Sequence, residues 1–342
     1  MKNWLKIACI VLLLYTVVFS FLRPLVPGLI GVDRQGIARG EQQFGIIGYN
    51  THFESARESM HAVLEFDKDH RICCNIDEVS DQDRVTVSVV VPDTVSSTVA
   101  AVYVNNAVDG TIYFPNALSI QQVVLDKTCD VSTCTVDLVT ETATVGGYPF
   151  QPIIFETIRN LMFHVPMWFT MFFLMILSFV NSLKYLRSHE SRWDQKAYVS
   201  AKTGLLFCIL GLITGSVWAR FAWGAWWVKD PQLNGALVVF LIYAAYLVLR
   251  RSVTDDEKRA RLAAIYNVFA FVMLVVLLMV LPRFNQSLHP GKSGNPAFSS
   301  YDLDSSLRAI FYPAVVGWIL LGYWIYSINL RLNKLELSTD SQ

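Results

Sequence analysis

The chain has 342 residues, of which 53% are hydrophobic and only 16% are charged. This composition excludes a disordered chain, a collagen-like chain and an ordinary soluble enzyme. Its 28 basic and 28 acidic residues balance, but 17 acidic and only seven basic side chains lie between Pro27 and Phe155. No large basic patch remains for nucleic acid. The composition therefore indicates a polytopic membrane protein with one acidic extramembrane domain.

Six apolar segments are long enough to cross a bilayer, and backbone groups in lipid must pair within helices. The first segment is followed by bulky residues rather than by a small-residue cleavage site, so we expect an uncleaved anchor. The predicted fold class is an all-α polytopic membrane protein with six transmembrane helices and an inserted β-rich extracytoplasmic domain. The predicted segments are Trp4–Leu22, Ile158–Leu183, Lys202–Ala219, Asn234–Leu249, Leu262–Leu281 and Ile310–Leu330.

Basic residues in the short loops predict the orientation, because such loops favour the cytoplasm. The loops after the second and fourth segments are rich in Lys and Arg, which places them and both termini inside. We expect an anchor at 1–26, a periplasmic insert at 27–156, a five-helix domain at 157–332 and a cytoplasmic tail at 333–342. The basic residues are Lys184, Arg187, Arg192, Lys196 and Lys202 in one loop and Arg250, Arg251, Lys258, Arg259 and Arg261 in the other.

The acidic insert has the sequence pattern of a β domain. Arg84–Val91 and Thr98–Val104 are rich in β-branched residues, and turn signals such as Asp109-Gly110 separate such runs. One helix is expected near Glu54–Glu65. The insert is long enough to form a core of its own.

The six cysteines divide between the two regions. Cys9 and Cys208 fall in membrane segments and are interpreted as packing residues. The other four lie in the outer domain, where an oxidising compartment favours disulfides, although a metal or thiol-redox site is the alternative and the pairing stays open. These four are Cys73, Cys74, Cys129 and Cys134.

The third segment ends in a run with four tryptophans within ten residues. Interfacial belts also contain tryptophan, but belts are scattered over many helix ends. Glycine and proline between the rings indicate a shaped surface for a large, flat, apolar ligand, with Arg220 or Lys229 meeting its carboxylates. The run reads Trp218-Ala-Arg-Phe-Ala-Trp-Gly-Ala-Trp-Trp-Val-Lys-Asp230.

Two histidines share the predicted outer side with this run. His164 begins the second segment and His289 lies in the last outer loop. An imidazole on each side of an aromatic surface is what bis-histidine haem ligation requires. His52, His61 and His70 are interpreted as surface or core residues of the insert, and His189 as a cytoplasmic residue.

The tryptophan run resembles the WWD signature of the haem-handling proteins of cytochrome c assembly, the family that includes CcmC, CcmF and CcsA. A His-Val-Pro sequence, the WWD loop and a Leu-His loop occur in that order on six helices, and this order most resembles the CcmC branch. The resemblance covers roughly Ile158–Leu330 and the position of the first helix.

The resemblance implies a haem transfer protein rather than an enzyme. It implies that His164 and His289 ligate the iron of haem b at the outer face of the bacterial inner membrane. It also implies transfer to a CcmE-like haem chaperone, with other cytochrome c maturation subunits and membrane lipid as further partners. The WWD surface would consist of Trp218, Trp223, Gly224, Trp226, Trp227 and Asp230, and Arg220 is a further candidate for cofactor binding.

Two features depart from the family pattern. Lys229 stands where a further tryptophan is usual, and the first outer loop, short in ordinary members, holds about 130 residues here. The insert is expected to dock the acceptor or to replace a small partner subunit.

Other functions remain open from the sequence. The alternatives are CcsA-type delivery to a cytochrome c synthase, a haem permease subunit, a membrane oxidoreductase and a simple anchor for the β domain. A permease predicts a polar path, and an oxidoreductase predicts paired histidines deep in the helices.

Overall fold

The computed structural model describes residues 1–67, 70–92, 98–120, 147–148, 150, 155–285, 289 and 305–339. The chain forms two compact units. One comprises Met1–Leu22 and Glu156–Gln342, and the other comprises Arg23–Phe155.

The first unit is a bundle of apolar helices. Six helical spans are long and apolar enough to cross a membrane, which confirms the six predicted segments. Several extend beyond the apolar runs, because helical hydrogen bonding continues through polar residues at their ends. The helices are α1 Asn3–Leu22, α2 Leu161–Ser188, α3 Ser191–Ala222, α4 Pro231–Ser252, α5 Asp256–Val275, α6 Leu281–Phe284 and α7 Ser305–Thr339.

A π-helical turn, Val276–Val280, joins α5 to α6 within one span. The amide of Leu281 donates to the carbonyl of Val276, five residues earlier. Pro282 follows directly and has no amide hydrogen. The wider turn and the proline occur together just before the chain that leads to His289, and such turns are frequent at functional sites.

The bundle core surrounds α2, which packs against α3, α5 and α7. Buried hydrogen bonds link its helices: the side-chain NH₂ of Asn267 on α5 donates to the hydroxyls of Ser178 and Ser182 on α2, each at 2.7 Å. At one end, Arg250 of α4 makes a two-pronged ion pair with Asp194 of α3, with N–O distances of 2.5 and 2.7 Å. These contacts fix the relative positions of the central helices.

The second unit is built on one eight-stranded sheet of order β1-β3-β6-β5-β4-β7-β8-β2. All named pairs are antiparallel except β2 with β8. β1 also contacts β8, so the sheet curls back on itself. The strands are β1 Gly28–Val32, β2 Gly36–Ile37, β3 Gly40–Tyr49, β4 His61–Asp67, β5 His70–Asp81, β6 Arg84–Val91, β7 Val99–Asn106 and β8 Gly110–Ile120.

The predicted all-α class is therefore wrong. The class was assigned from the apolar helices, whereas the chain also contains an eight-stranded sheet. Burial alternates residue by residue along β6 and β7, so one face of each strand enters a core of its own while the backbone pairs between strands. The protein combines a helical bundle with a curled β-sheet unit.

The helix expected near Glu54–Glu65 is also wrong. This region contains a short 3₁₀ turn, Arg57–Ser59, followed by β4. Ala62 and Leu64 point into the sheet core, because pairing of β4 with β5 and β7 determines the local backbone.

The cysteines show both states. Cys9, Cys74 and Cys208 are free and buried, while Cys73 is disulfide-bonded. The suggested staple from Cys129 to Cys134 lies outside the described residues. Burial raises the pKa of the Cys74 thiol to about 12, so this group is a packing residue rather than a reactive thiol.

The first and last described segments of the β unit lie side by side. Leu25 forms an isolated parallel bridge with Tyr148. The Val26 amide donates to the Tyr148 carbonyl, and the Tyr148 amide donates to the Pro24 carbonyl, each at 2.9 Å.

Candidate functional site

His164 lies in the first turn of α2 and faces α3. Its Nδ1 is 3.1 Å from Thr214 Oγ1. The Thr214 hydroxyl donates its own hydrogen to the Leu210 carbonyl at 2.8 Å, so its oxygen is free to accept. Nδ1 of His164 is therefore the donor, and the lone pair of the neutral ring is on Nε2.

Helix α3 approaches His164 closely because a glycine faces the ring. A Cβ at Gly215 would lie 2.7 Å from His164 Cε1. Two indoles complete the surroundings of the ring in edge-on contacts. Trp218 of α3 and Trp168 of α2 have ring centroids 5.7 and 6.3 Å from that of His164.

His289 is held by Asp230. The distance from His289 Nδ1 to Asp230 Oδ1 is 3.2 Å, and the aspartate is almost fully buried. An ionised carboxylate only accepts, so Nδ1 donates, and in the neutral ring the lone pair is then on Nε2. Trp223 contacts the same imidazole edge-on, with centroids 5.3 Å apart.

Asp230 has a second task at the start of α4. Its Oδ1 accepts the amides of Gln232 and Leu233 at 2.9 and 3.2 Å, and Pro231 occupies the first helical position. This is a strong N-cap, since two otherwise unpaired amides are satisfied. The geometry of the helix start therefore fixes the carboxylate that orients His289.

His164 and His289 lie near enough for a charge on one imidazole to act on the other. They come from separate parts of the bundle, His164 from α2 and His289 from the chain after α6. Among the described residues, no group of three or more His, Cys, Asp or Glu side chains is placed to hold a metal ion. The arrangement offers two oriented imidazole nitrogens rather than a polydentate metal centre.

The rest of the WWD run forms the loop between α3 and α4. Gly224 has φ +77°, a conformation that favours glycine. Arg220 donates to the Gly224 carbonyl and so holds this turn. Ser216 donates to the Trp226 carbonyl at 2.7 Å.

Trp226 and Trp227 present their rings to the surroundings, being 59% and 40% exposed. Trp227 Nε1 donates to Asn234 at 3.2 Å, which fixes one ring. Lys229 is exposed, and no ion pair is found for it within the described residues. The WWD run thus has two tryptophans, Trp218 and Trp223, that contact imidazoles and two, Trp226 and Trp227, that are exposed.

Sequence reasoning chose the histidines and the WWD residues but did not single out Thr214, Gly215 or Trp168. The available signal was Gly211-x-x-x-Gly215, a spacing of small residues that lets helices approach closely. A hydroxyl between these glycines then lies within reach of a side chain on the neighbouring helix.

Comparison with known proteins identifies the family. The family model described as cytochrome c assembly protein matches residues 117–289, which is half of the chain and contains both histidines and the WWD loop. The chain belongs to the cytochrome c assembly protein family. With its six apolar helical spans, it is a multi-pass membrane protein of cytochrome c biogenesis.

Individual relatives agree with this assignment. Heme exporter protein C of Rhodobacter capsulatus is 30% identical over 199 residues, covering 56% of this chain and 79% of the relative. Heme exporter protein C of Paracoccus denitrificans is 31% identical over 177 residues, covering 51% and 72%. A cytochrome c biogenesis protein CcsA of Prochlorococcus marinus is 35% identical over 98 residues, covering 28% and 31%. The chain is thus similar to the CcmC branch over a longer stretch than to this CcsA protein.

Proposed function

We propose that this protein binds haem b between His164 and His289 and passes it to a haem chaperone of the CcmE type. The observation that supports the proposal most strongly is that both imidazole rings are held in the same way. Each imidazole is fixed through Nδ1 by an acceptor of its own, and each is left with an Nε2 lone pair, the form that ligates haem iron. The similarity to heme exporter protein C supports haem as the cargo.

The indoles would bind the porphyrin. Trp218 and Trp223 hold the imidazoles in orientation through edge contacts, while Trp226 and Trp227 offer exposed faces for stacking on a flat apolar ring. Lys229 would meet a propionate, since an exposed ammonium pairs readily with a carboxylate. Arg220 donates a hydrogen bond to the Gly224 carbonyl, so its main role would be to stabilise the conformation of the loop.

Transfer requires only that the ligands be exchanged. Neutral imidazoles supply two bonds that an acceptor can replace one at a time, and no covalent step by this chain is needed. We therefore propose a transfer protein rather than an enzyme.

The proposed location is the inner membrane with the haem site at the periplasmic face. Helix α2 runs from His164 to the basic end at Lys184, which is about 30 Å for 20 residues. Cations at that end favour the cytoplasm, so the histidines and the 27–156 insert would be outside and both termini inside.

Absorbance spectra of the full chain purified in mild detergent test the ligand assignment. We expect a low-spin haem spectrum in the wild type, and a weakened or shifted spectrum in both His164→Ala and His289→Ala. His61→Ala is the matched control, because that imidazole is exposed in the β unit and should leave the spectrum unchanged. A wild type that takes up no added hemin would overturn haem binding.

A second experiment tests the direction of transfer. Haem-loaded protein is mixed with a CcmE-like chaperone or with a cytochrome c synthase, and the haem content of each partner is measured. Loading of the chaperone supports the proposal. Loading of the synthase alone would favour CcsA-type delivery instead.

A further inference from the structure

Three cations converge on one tryptophan at the bundle end far from the histidines. Trp193 lies in the first turn of α3. Lys184 Nζ lies 4.5 Å and Lys196 Nζ 4.4 Å from its ring centroid, and the Arg192 guanidinium carbon lies at 4.8 Å. An indole has two faces, so at least two of these cations share one.

Packing against neighbouring helices holds the Trp193 ring in place. Trp193 packs against a small cluster formed by Tyr185, Ala260 and Ala264. The cations therefore gather around an aromatic group anchored to α2 and α5, rather than around a mobile surface side chain.

The positive charge of this cluster is only partly neutralised. Arg192 pairs with Glu190 at 2.5 Å. Within the described residues neither Lys184 nor Lys196 has a carboxylate at ion-pairing distance. Because both ammonium groups approach the same centroid, they lie no more than about 9 Å apart. Two ammonium groups without a carboxylate partner at this separation make a local positive charge that attracts an anion.

We propose that Trp193, Lys184 and Lys196 form a binding site for the headgroup of an anionic phospholipid. The phosphate would bridge the two ammonium groups, and the indole would lie at the glycerol level, where tryptophan is favoured. The position of Lys184 is compatible with lipid binding. It lies one turn inside the end of an apolar span, and a long lysine side chain can reach the membrane interface from there.

Fluorescence quenching by brominated lipids tests this site in the full chain. The protein is reconstituted in phosphatidylcholine vesicles containing a minor fraction of either dibrominated phosphatidylglycerol or dibrominated phosphatidylcholine. The Trp193 signal is the difference between wild type and Trp193→Phe. We expect stronger quenching of this signal by the anionic brominated lipid, and a weaker preference at high ionic strength.

Variants that remove one charge test whether Lys184 and Lys196 cause the preference for the anionic lipid. Lys184→Gln and Lys196→Gln should each lower the relative association constant for phosphatidylglycerol about fivefold. Lys258→Gln removes a charge at the same bundle end, on α5, and should change nothing. An unchanged thermal unfolding midpoint in detergent confirms folding of each variant. Equal quenching by both brominated lipids, or a preference that survives in the double lysine variant, would overturn the proposal.

Discussion

Asp230 Oδ1 accepts the hydrogen of His289 Nδ1 while it caps α4. One oxygen thus links the start of a membrane helix to the orientation of a candidate haem ligand. Stability and ligation can be separated here, because the cap needs an acceptor whereas the imidazole is best held by a full negative charge.

Substitution of Asp230 should therefore affect two properties by different amounts. Asp230→Ala is expected to lower haem affinity about 10–100-fold and to lower the free energy of unfolding by about 1 kcal/mol through loss of the cap. Asp230→Asn should keep most of the stability and lose part of the affinity. Hemin titration and thermal unfolding in detergent measure the two effects.

The matched control for Asp230 is Asp255, which caps α5 by accepting the Lys258 amide at 2.7 Å. Asp255→Ala should lower stability to a similar extent and leave hemin binding as in the wild type. If the Asp255 variant lost haem as strongly as Asp230→Ala, the effect would be one of general stability and not of His289.

Gly215→Ala should displace His164 without removing it. The new methyl group would lie 2.7 Å from Cε1 of the ring, so the imidazole must move away from Thr214. We expect a spectrum like that of His164→Ala. Gly204→Ala is the control in the same helix, since its methyl group would meet the flexible end of Met175 and Leu174 Cβ, the latter at 3.3 Å, and neither histidine. Normal haem ligation in the Gly215 variant would argue against the close approach of helix α3 to the His164 ring.

The ion pair between Asp194 and Arg250 should stabilise the bundle without contributing to ligation. Its side chains are only 11% and 9% exposed. Asp194→Asn is expected to lower the free energy of unfolding by about 3–5 kcal/mol, because it leaves a buried guanidinium without its charge partner. The double variant Asp194→Leu, Arg250→Met should regain much of this loss in unfolding assays. A double variant as unstable as the single one would contradict this account, and haem bound per folded molecule should stay constant throughout.

Cys74 should resist alkylation in the folded protein. Burial raises its pKa to about 12, so at pH 8 its thiolate fraction, and with it the alkylation rate, is about 10³-fold below that of an ordinary thiol. A raised acid pKa also means that stability falls as pH rises above about 9, where the unfolded thiol ionises and the folded one does not. Mass spectrometry after brief iodoacetamide treatment, native against denatured, measures the protection. Equal labelling of Cys74 in both states would contradict the buried position.

The sequence predicted the membrane helices well because their signal is local. An apolar run of about 20 residues has few alternatives in a chain. The ends were less accurate: α3 begins at Ser191 rather than Lys202, since Arg192 and Lys196 continue the helix into polar surroundings. The helix expected near Glu54–Glu65 is wrong because pairing of β4 with the neighbouring β5 and the distant β7, and not local helix propensity, determines the backbone from His61 onward.

The site residues show the same difference between local sequence signals and long-range contacts. His164 and His289 were selected by residue type and by their expected side of the membrane, and their role as ligands stays a prediction. The contribution of Thr214 was not visible, because it depends on how closely α2 and α3 pack. Asp230 was placed on the WWD surface, whereas its contact with His289 joins positions 59 residues apart.

The bridge between Leu25 and Tyr148 has an evolutionary consequence. It brings the two ends of the β unit to neighbouring positions, so the whole stretch between them can be gained or lost as a single genetic event, with a connection of a few residues left in its place. Units with adjacent ends are the ones that domain insertion tolerates best. An ancestral helical protein could thus have acquired this unit between its first two membrane spans without lengthening either helix.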